Sequence, residues 1–176
     1  TLGAFLEKLT EVSGFEIGLP MNTGAEGVET AIKAIRRWGY NSKKIPPNKA
    51  EIIVADQNFH GRTTTIISFS SDKESKENFG PLTPGFKTVK FGCIDSLRSA
   101  ITENTAAVLV EPIQGEAGIV IPDPSWLPKA RELCTENNVL LILDEVQSGL
   151  GRTGKMFAYE HYSIKPDGLI LGKALG

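Results

Sequence analysis

Short runs of uninterrupted apolar residues recur along this chain: Ile52-Ile-Val-Ala55, Ala106-Ala-Val-Leu-Val110, Val139-Leu-Leu-Ile-Leu143 and Leu169-Ile-Leu171, with Lys87-Thr-Val-Lys-Phe91 a weaker case. A strand with one wet face alternates apolar and polar residues, so continuous apolarity points to strands covered on both faces, as in a parallel sheet. Parallel strands need long crossovers, and the intervening segments carry helical spacing. Glu26 to Trp38 puts Val28, Ala31, Ile32, Ile35 and Trp38 on one face; Ser125 to Glu136 does so with Leu127, Ala130, Leu133 and Cys134; Asp95 to Ile101 is a shorter case. Pro124 and Ser125 serve as start signals for the second of these helices. The expected fold is α/β, a mostly parallel, doubly wound sheet.

Two loops interrupt the pattern. Asn41 to Lys49, with Pro46-Pro47, reads as a surface connection. Ser70 to Gly85 is polar, rich in Gly and Pro, and too long for a simple turn, which marks it as functional or intersubunit.

Composition excludes more than it assigns. The 176 residues suffice for one sizeable core, and the formal charge of −2 gives no global attraction to nucleic acid or to a membrane surface. No apolar stretch approaches the ~18 residues of a membrane span. Cys93 and Cys134 fit no metal spacing, and a reducing compartment is expected, the cytoplasm first and the mitochondrial matrix as the alternative. The chain has no initiator Met and stops soon after Lys173, so we expect residues 1–176 to be a fragment.

Polar residues cluster where the apolar runs end. Phe59 and Arg62 follow the Ile52 run, Glu111 and Glu116 the Ala106 run, Asp144 the Val139 run, and Lys173 the Leu169 run. Open α/β sheets bind ligands beyond the carboxyl ends of their strands, so these groups should converge on one edge. An acid and a lysine at two such ends suit pyridoxal phosphate, whose aldehyde takes a lysine and whose ring nitrogen needs a carboxylate. Other occupations stay open. Asp144 is also served by a metal ion or by Arg152. Asn22-Thr-Gly-Ala-Glu26 suits a phosphate or is a helix cap formed by Thr23 or Asn22. Phe59 and Arg62 suit ring stacking and carboxylate recognition, or are a packed ring and a solvated cation. Glu116 is a charge partner or a solvated loop acid. His60 reads as a packing or hydrogen-bonding residue, and His161 as structural.

Taken together, Asn22-Thr-Gly-Ala-Glu26, Asn58-Phe-His-Gly-Arg-Thr63, Glu111-Pro-Ile-Gln-Gly-Glu116, Asp144-Glu-Val-Gln147 and Gly172-Lys-Ala-Leu-Gly176 resemble, in order and spacing, the class-III pyridoxal-phosphate-dependent aminotransferases. Leu19-Pro-Met-Asn-Thr-Gly24, Phe79-Gly-Pro-Leu-Thr-Pro-Gly-Phe86 and Arg131-Glu-Leu-Cys134 are most similar to the branch that acts on ornithine, while the acetylornithine and 4-aminobutyrate branches share the general motifs. The resemblance implies the large domain of a fold-type-I enzyme, a homodimer, and ornithine and 2-oxoglutarate as substrates. It implies that Gly24 and Ala25 hold the cofactor phosphate, Phe59 stacks on the ring, Asp144 pairs with the ring nitrogen and Gln147 lies near the ring hydroxyl. Lys173 then forms the Schiff base and shuttles the proton. Arg62 binds a substrate carboxylate, and Glu116 is a switch acid whose arginine partner lies in a C-terminal domain this chain lacks. A non-catalytic α/β module is the rival reading, and the Asp144–Lys173 pair argues against it.

Overall fold

The computed structural model describes residues 1–175. Five strands, β1 (Glu51–Ala55), β2 (Phe86–Val89), β3 (Thr105–Val110), β4 (Leu140–Asp144) and β5 (Gly168–Ile170), form one sheet in the order β2-β1-β3-β4-β5. Every pairing is parallel. The expected strands are all present, displaced by a residue or two: β2 begins at Phe86 and ends at Val89, and β4 extends to include Asp144.

Alternate residues of each strand feed two separate cores, which is why the runs are continuously apolar. Helix α2 (Gly24–Asn41) covers one face, setting Val28, Ile32 and Ile35 against Ile52, Val54, Ala107, Leu109 and Ile142. Helices α4 (Ile94–Ala100) and α5 (Trp126–Glu136) cover the other, where Leu97, Leu127, Ala130 and Leu133 meet Ile53, Val108, Val110, Leu141 and Leu143. Residues of β3 from Ala106 to Val110 are all fully buried, as a central strand covered on both faces requires. Trp38 is only half-buried, at the rim of the α2 interface.

Four elements lie outside the expected pattern. Helix α1 (Leu2–Ser13) precedes the fold, α3 (Thr64–Ile67) is a single turn, and Ala158–Tyr162 and Lys173–Leu175 are 3₁₀ turns. The start of α5 also differs in detail. The Ser125 side chain caps nothing, and Asp123 Oδ1 instead accepts from Ser125 N at 2.8 Å and Ser125 Oγ at 2.7 Å. Among the described residues no helix is long and apolar enough to cross a membrane.

From β1 the chain steps outward to β2, then crosses back over β1 to β3, so β2 and β3 flank β1 on opposite sides and the winding reverses between β1 and β3. The crevice beyond their carboxyl ends is the topological switch point, where such sheets take ligands.

Candidate active site

A cavity of about 210 Å³ opens there, lined by Gly24, Ala25, Phe59, His60, Gly61, Glu111, Ile113, Asp144, Val146, Gln147 and Lys173. All six of the residues expected to hold the cofactor therefore line it: Gly24, Ala25, Phe59, Asp144, Gln147 and Lys173. Arg62 and Glu116 stand outside it, exposed, with the Arg62 guanidinium 5.8 Å from the centre of the Phe59 ring. A larger groove of about 650 Å³ between α1 and α2 shares Gly24 and Lys173, but Phe5, Leu9, Ile17 and Leu19 give it an apolar lining and little chemistry.

The α2 end of the cavity is built by a capping box. Thr23 Oγ1 accepts from Glu26 N at 3.1 Å, and Glu26 Oε2 accepts from Thr23 N at 3.1 Å and Asn22 N at 2.7 Å. Thr23 is thus the cap. The Gly24 and Ala25 N–H groups, at the first two helical positions, have no intrahelical acceptor and carry the positive end of the helix dipole. Close approach fixes Gly24 as glycine, because a Cβ there would lie 2.9 Å from Val146 Cγ1.

At the opposite side β4 delivers Asp144, only 5% exposed. Its Oδ2 lies 2.6 Å from His60 Nδ1, and its Oδ1 accepts from Val146 N at 3.0 Å. The sequence left a metal or Arg152 as partners for this carboxylate. Arg152 is exposed and makes no such contact, and among the described residues no three His, Cys, Asp or Glu side chains are grouped to hold a metal. Burial works to lower the His60 pKa, but the Asp144 hydrogen bond and charge, with a contribution from Glu111, hold it above its ordinary 6.5. His60 is therefore a hydrogen-bonding residue, and its partner is the acid on which the cavity is centred.

Glu111, at the end of β3, is 5% exposed. Its Oε2 accepts from Phe59 N at 3.1 Å, which ties the loop carrying the ring to the neighbouring strand. Burial raises the carboxyl to a pKa of about 7, with the His60 charge opposing and the Asp144 and Glu116 charges adding. Sequence reading favoured Glu116 of these two acids as the charge partner, and the structure buries the other one.

Lys173 follows β5 with a left-handed backbone, φ 47°, and its Nζ donates to Gln147 Oε1 at 2.7 Å. Gln147 is itself backed by Gly115, where a Cβ would fall 2.5 Å from Gln147 Nε2. The neighbour of Asp144 does different work. Glu145 is buried and accepts from Ala158 N at 2.7 Å and Tyr159 N at 3.0 Å, anchoring the 3₁₀ turn under the site.

The donor set suits a flat ring with an anionic tail and a cationic edge. Free helix N–H groups face the tail, a buried carboxylate serves the cationic edge, Phe59 offers a ring face, and Lys173 brings an amine.

The sequence profile of the family described as Aminotransferase class-III matches residues 1–176. An ornithine aminotransferase of Brevibacillus brevis is 61% identical over 175 residues, covering 99% of this chain and 44% of that protein. The crystal structure of the ornithine aminotransferase from Toxoplasma gondii superposes with a TM-score of 0.92 at 44% identity, over 94% of this chain and 39% of that one. An acetylornithine aminotransferase from Elizabethkingia anophelis gives a TM-score of 0.83 at 51% identity, over 98% of this chain and 42% of that one. The chain spans less than half the length of the relatives it matches.

Proposed function

We propose, from the premise that this chain belongs to the class-III aminotransferase family, that the whole protein transfers the δ-amino group of L-ornithine to 2-oxoglutarate, giving glutamate 5-semialdehyde and glutamate. The observation that carries the reading is the meeting of Asp144, Lys173 and the free α2 N–H groups around one cavity. Residues 1–176 are read as part of the cofactor-binding large domain. The protein acts as a homodimer, as the resemblance implies, and in the cytoplasm, for which the bacterial source of a relative is the support.

The cofactor is pyridoxal phosphate, which supplies an aldehyde for amines and a ring that withdraws electrons from the reacting carbon. The chain supplies placement and charge. Gly24 and Ala25 N–H groups hold the phosphate, Phe59 packs on the ring, and Gln147 meets the ring hydroxyl. Asp144, held in place by His60 and Val146 N–H, would retain the proton on the ring nitrogen. Lys173 carries the cofactor through its amine and moves the proton at the substrate carbon. Arg62 binds the substrate carboxylate with its planar fork. Glu116 neutralises a second carboxylate-binding arginine when ornithine is the donor.

Among the solved structures, the acetylornithine aminotransferase, at 51% identity against 44% for the Toxoplasma gondii enzyme, favours a second reading in which N-acetylornithine is the donor. The full-length protein tests both. It should show visible absorbance that borohydride abolishes while fixing the cofactor to Lys173. With 2-oxoglutarate it should then process ornithine faster than N-acetylornithine or 4-aminobutyrate. A colourless protein, or label on another lysine, defeats the reading of the site. Preference for N-acetylornithine defeats only the substrate.

A further inference from the structure

We propose that Glu111 is the charge-balancing acid of the cavity, holding a proton while Asp144 faces no cationic ligand and releasing it when a cation binds there. The inference rests on the reading that Asp144 takes a cationic ring edge, and adds a group to which that reading gives no role.

Four titratable side chains line the cavity; besides the exposed Lys173, three come from three other elements: His60 from the loop after β1, Glu111 from the end of β3, and Asp144 from the end of β4. All three are buried. Asp144 and His60 neutralise one another across 2.6 Å. Glu111 is left over, and among the described residues it makes no ion pair. Its one strong partner is the neutral Phe59 N–H. A buried carboxylate without a cation is costly, and taking up a proton removes the cost.

The other charges nearby do not change this count. Glu116, on the same loop, is an acid and opposes ionisation of Glu111. Lys173 is exposed and its ammonium is engaged by Gln147 Oε1. The buried trio is therefore neutral when the His60–Asp144 ion pair stands beside a Glu111 that carries its proton. A protonated ring nitrogen at Asp144 adds one positive charge, and neutrality returns when Glu111 gives its proton to solvent. Burial places the ligand-free titration at about pH 7, within range of such a change.

A carboxyl group reports its own protonation through its carbonyl stretch. The test uses the full-length protein stripped of cofactor, with isotope-labelled glutamate, at about pH 6 where a group titrating near 7 is mostly protonated. Pyridoxamine phosphate is the probe, since it forms no bond to Lys173. The ligand-free protein should show a buried carboxylic-acid band that Glu111→Gln abolishes. On adding the probe the titration midpoint of that band should fall by about 1–3 pH units, as expected for an opposite charge nearby. A band absent from the ligand-free protein, or a midpoint unmoved by bound probe, overturns the inference alone. Failure of the probe to bind overturns the reading of the cavity and the inference with it. The labelled wild-type protein decides the matter even if the variant does not fold.

Discussion

His60 Nδ1 and Asp144 Oδ2 lie 2.6 Å apart, bringing together residues 84 positions distant in sequence. The pair sits behind the cavity, with neither side chain more than 5% exposed. Removing the imidazole leaves a buried carboxylate with one hydrogen bond from Val146 N. His60→Leu in the full-length protein should cost about 3 kcal/mol, the low end for breaking a buried pair because that second bond survives. His60→Asn, which keeps a donor near the Nδ1 position, should recover part of the loss. Chemical denaturation measures the stability, and equal values for the two variants would show that the contact matters only as packing.

Lys173→Ala should abolish transamination and leave stability nearly unchanged, because the side chain is exposed and its one contact is the Gln147 amide. Steady-state turnover with ornithine and 2-oxoglutarate is the measurement. Activity above about a tenth of the unmodified protein's would remove Lys173 from the chemistry.

Glu116→Ala should speed the half-reaction with glutamate and relax selectivity for the δ-amine of ornithine. A second carboxylate-binding arginine, left free, attracts the ornithine α-carboxylate and brings the α-amine to the reacting position. Single-turnover absorbance and product analysis separate the two effects. If the variant gives only the δ-product and glutamate reacts no faster, Glu116 is a solvated loop acid, as its exposure allows.

Glu111 makes stability depend on pH in a defined direction. Burial raises its pKa from 4.5 to about 7, so the folded protein holds the proton more tightly than the unfolded chain. Its favourable contribution is complete below the unfolded value and is lost as pH rises from about 4.5 through about 7, worth on the order of 3 kcal/mol. Glu111→Gln imitates the protonated form at every pH. The cofactor-free variant should match the wild type in acid and exceed it above neutrality. Parallel stability curves across that window would be incompatible with a buried, titrating Glu111.

Gly115→Ala tests a contact invisible to pattern reading. The new methyl group would fall 2.5 Å from the Gln147 amide, so Gln147 must swing away from Lys173. The flexible end of a side chain can yield, so unfolding should change little while turnover falls. A large loss of stability with intact turnover would mean that the backbone, and not Gln147, absorbs the clash.

Much of the fold was legible because burial on both faces writes itself into sequence as unbroken apolar runs. Ala106 to Val110 is the clearest case, each residue buried in the central strand. Helix α2 was legible from the spacing of Val28, Ile32 and Ile35. Helix α1 was not, since Thr1 makes no side-chain cap and Ser13 is its one buried residue. The carboxyl-end rule brought Asp144, Lys173 and Phe59 to one edge without knowledge of side-chain direction. Direction is where it stopped. Glu111 and Glu116 are both loop acids after one strand, yet one points inward to Phe59 N–H and the other to solvent. His60 gave no hint of Asp144 because their contact depends on strand order, and β3 intervenes between β1 and β4.

The capping box at Thr23 and Glu26 has a consequence for how an anion is received. Glu26 occupies the Asn22 and Thr23 N–H groups, and Thr23 occupies that of Glu26, which leaves the two between them directed outward by the chain's own bonds. The turn is thus preorganised: its backbone entropy is surrendered during folding rather than at binding. Empty and occupied forms of the protein should share this corner unchanged, and an arriving phosphate finds a rigid socket rather than a loop it must first arrange.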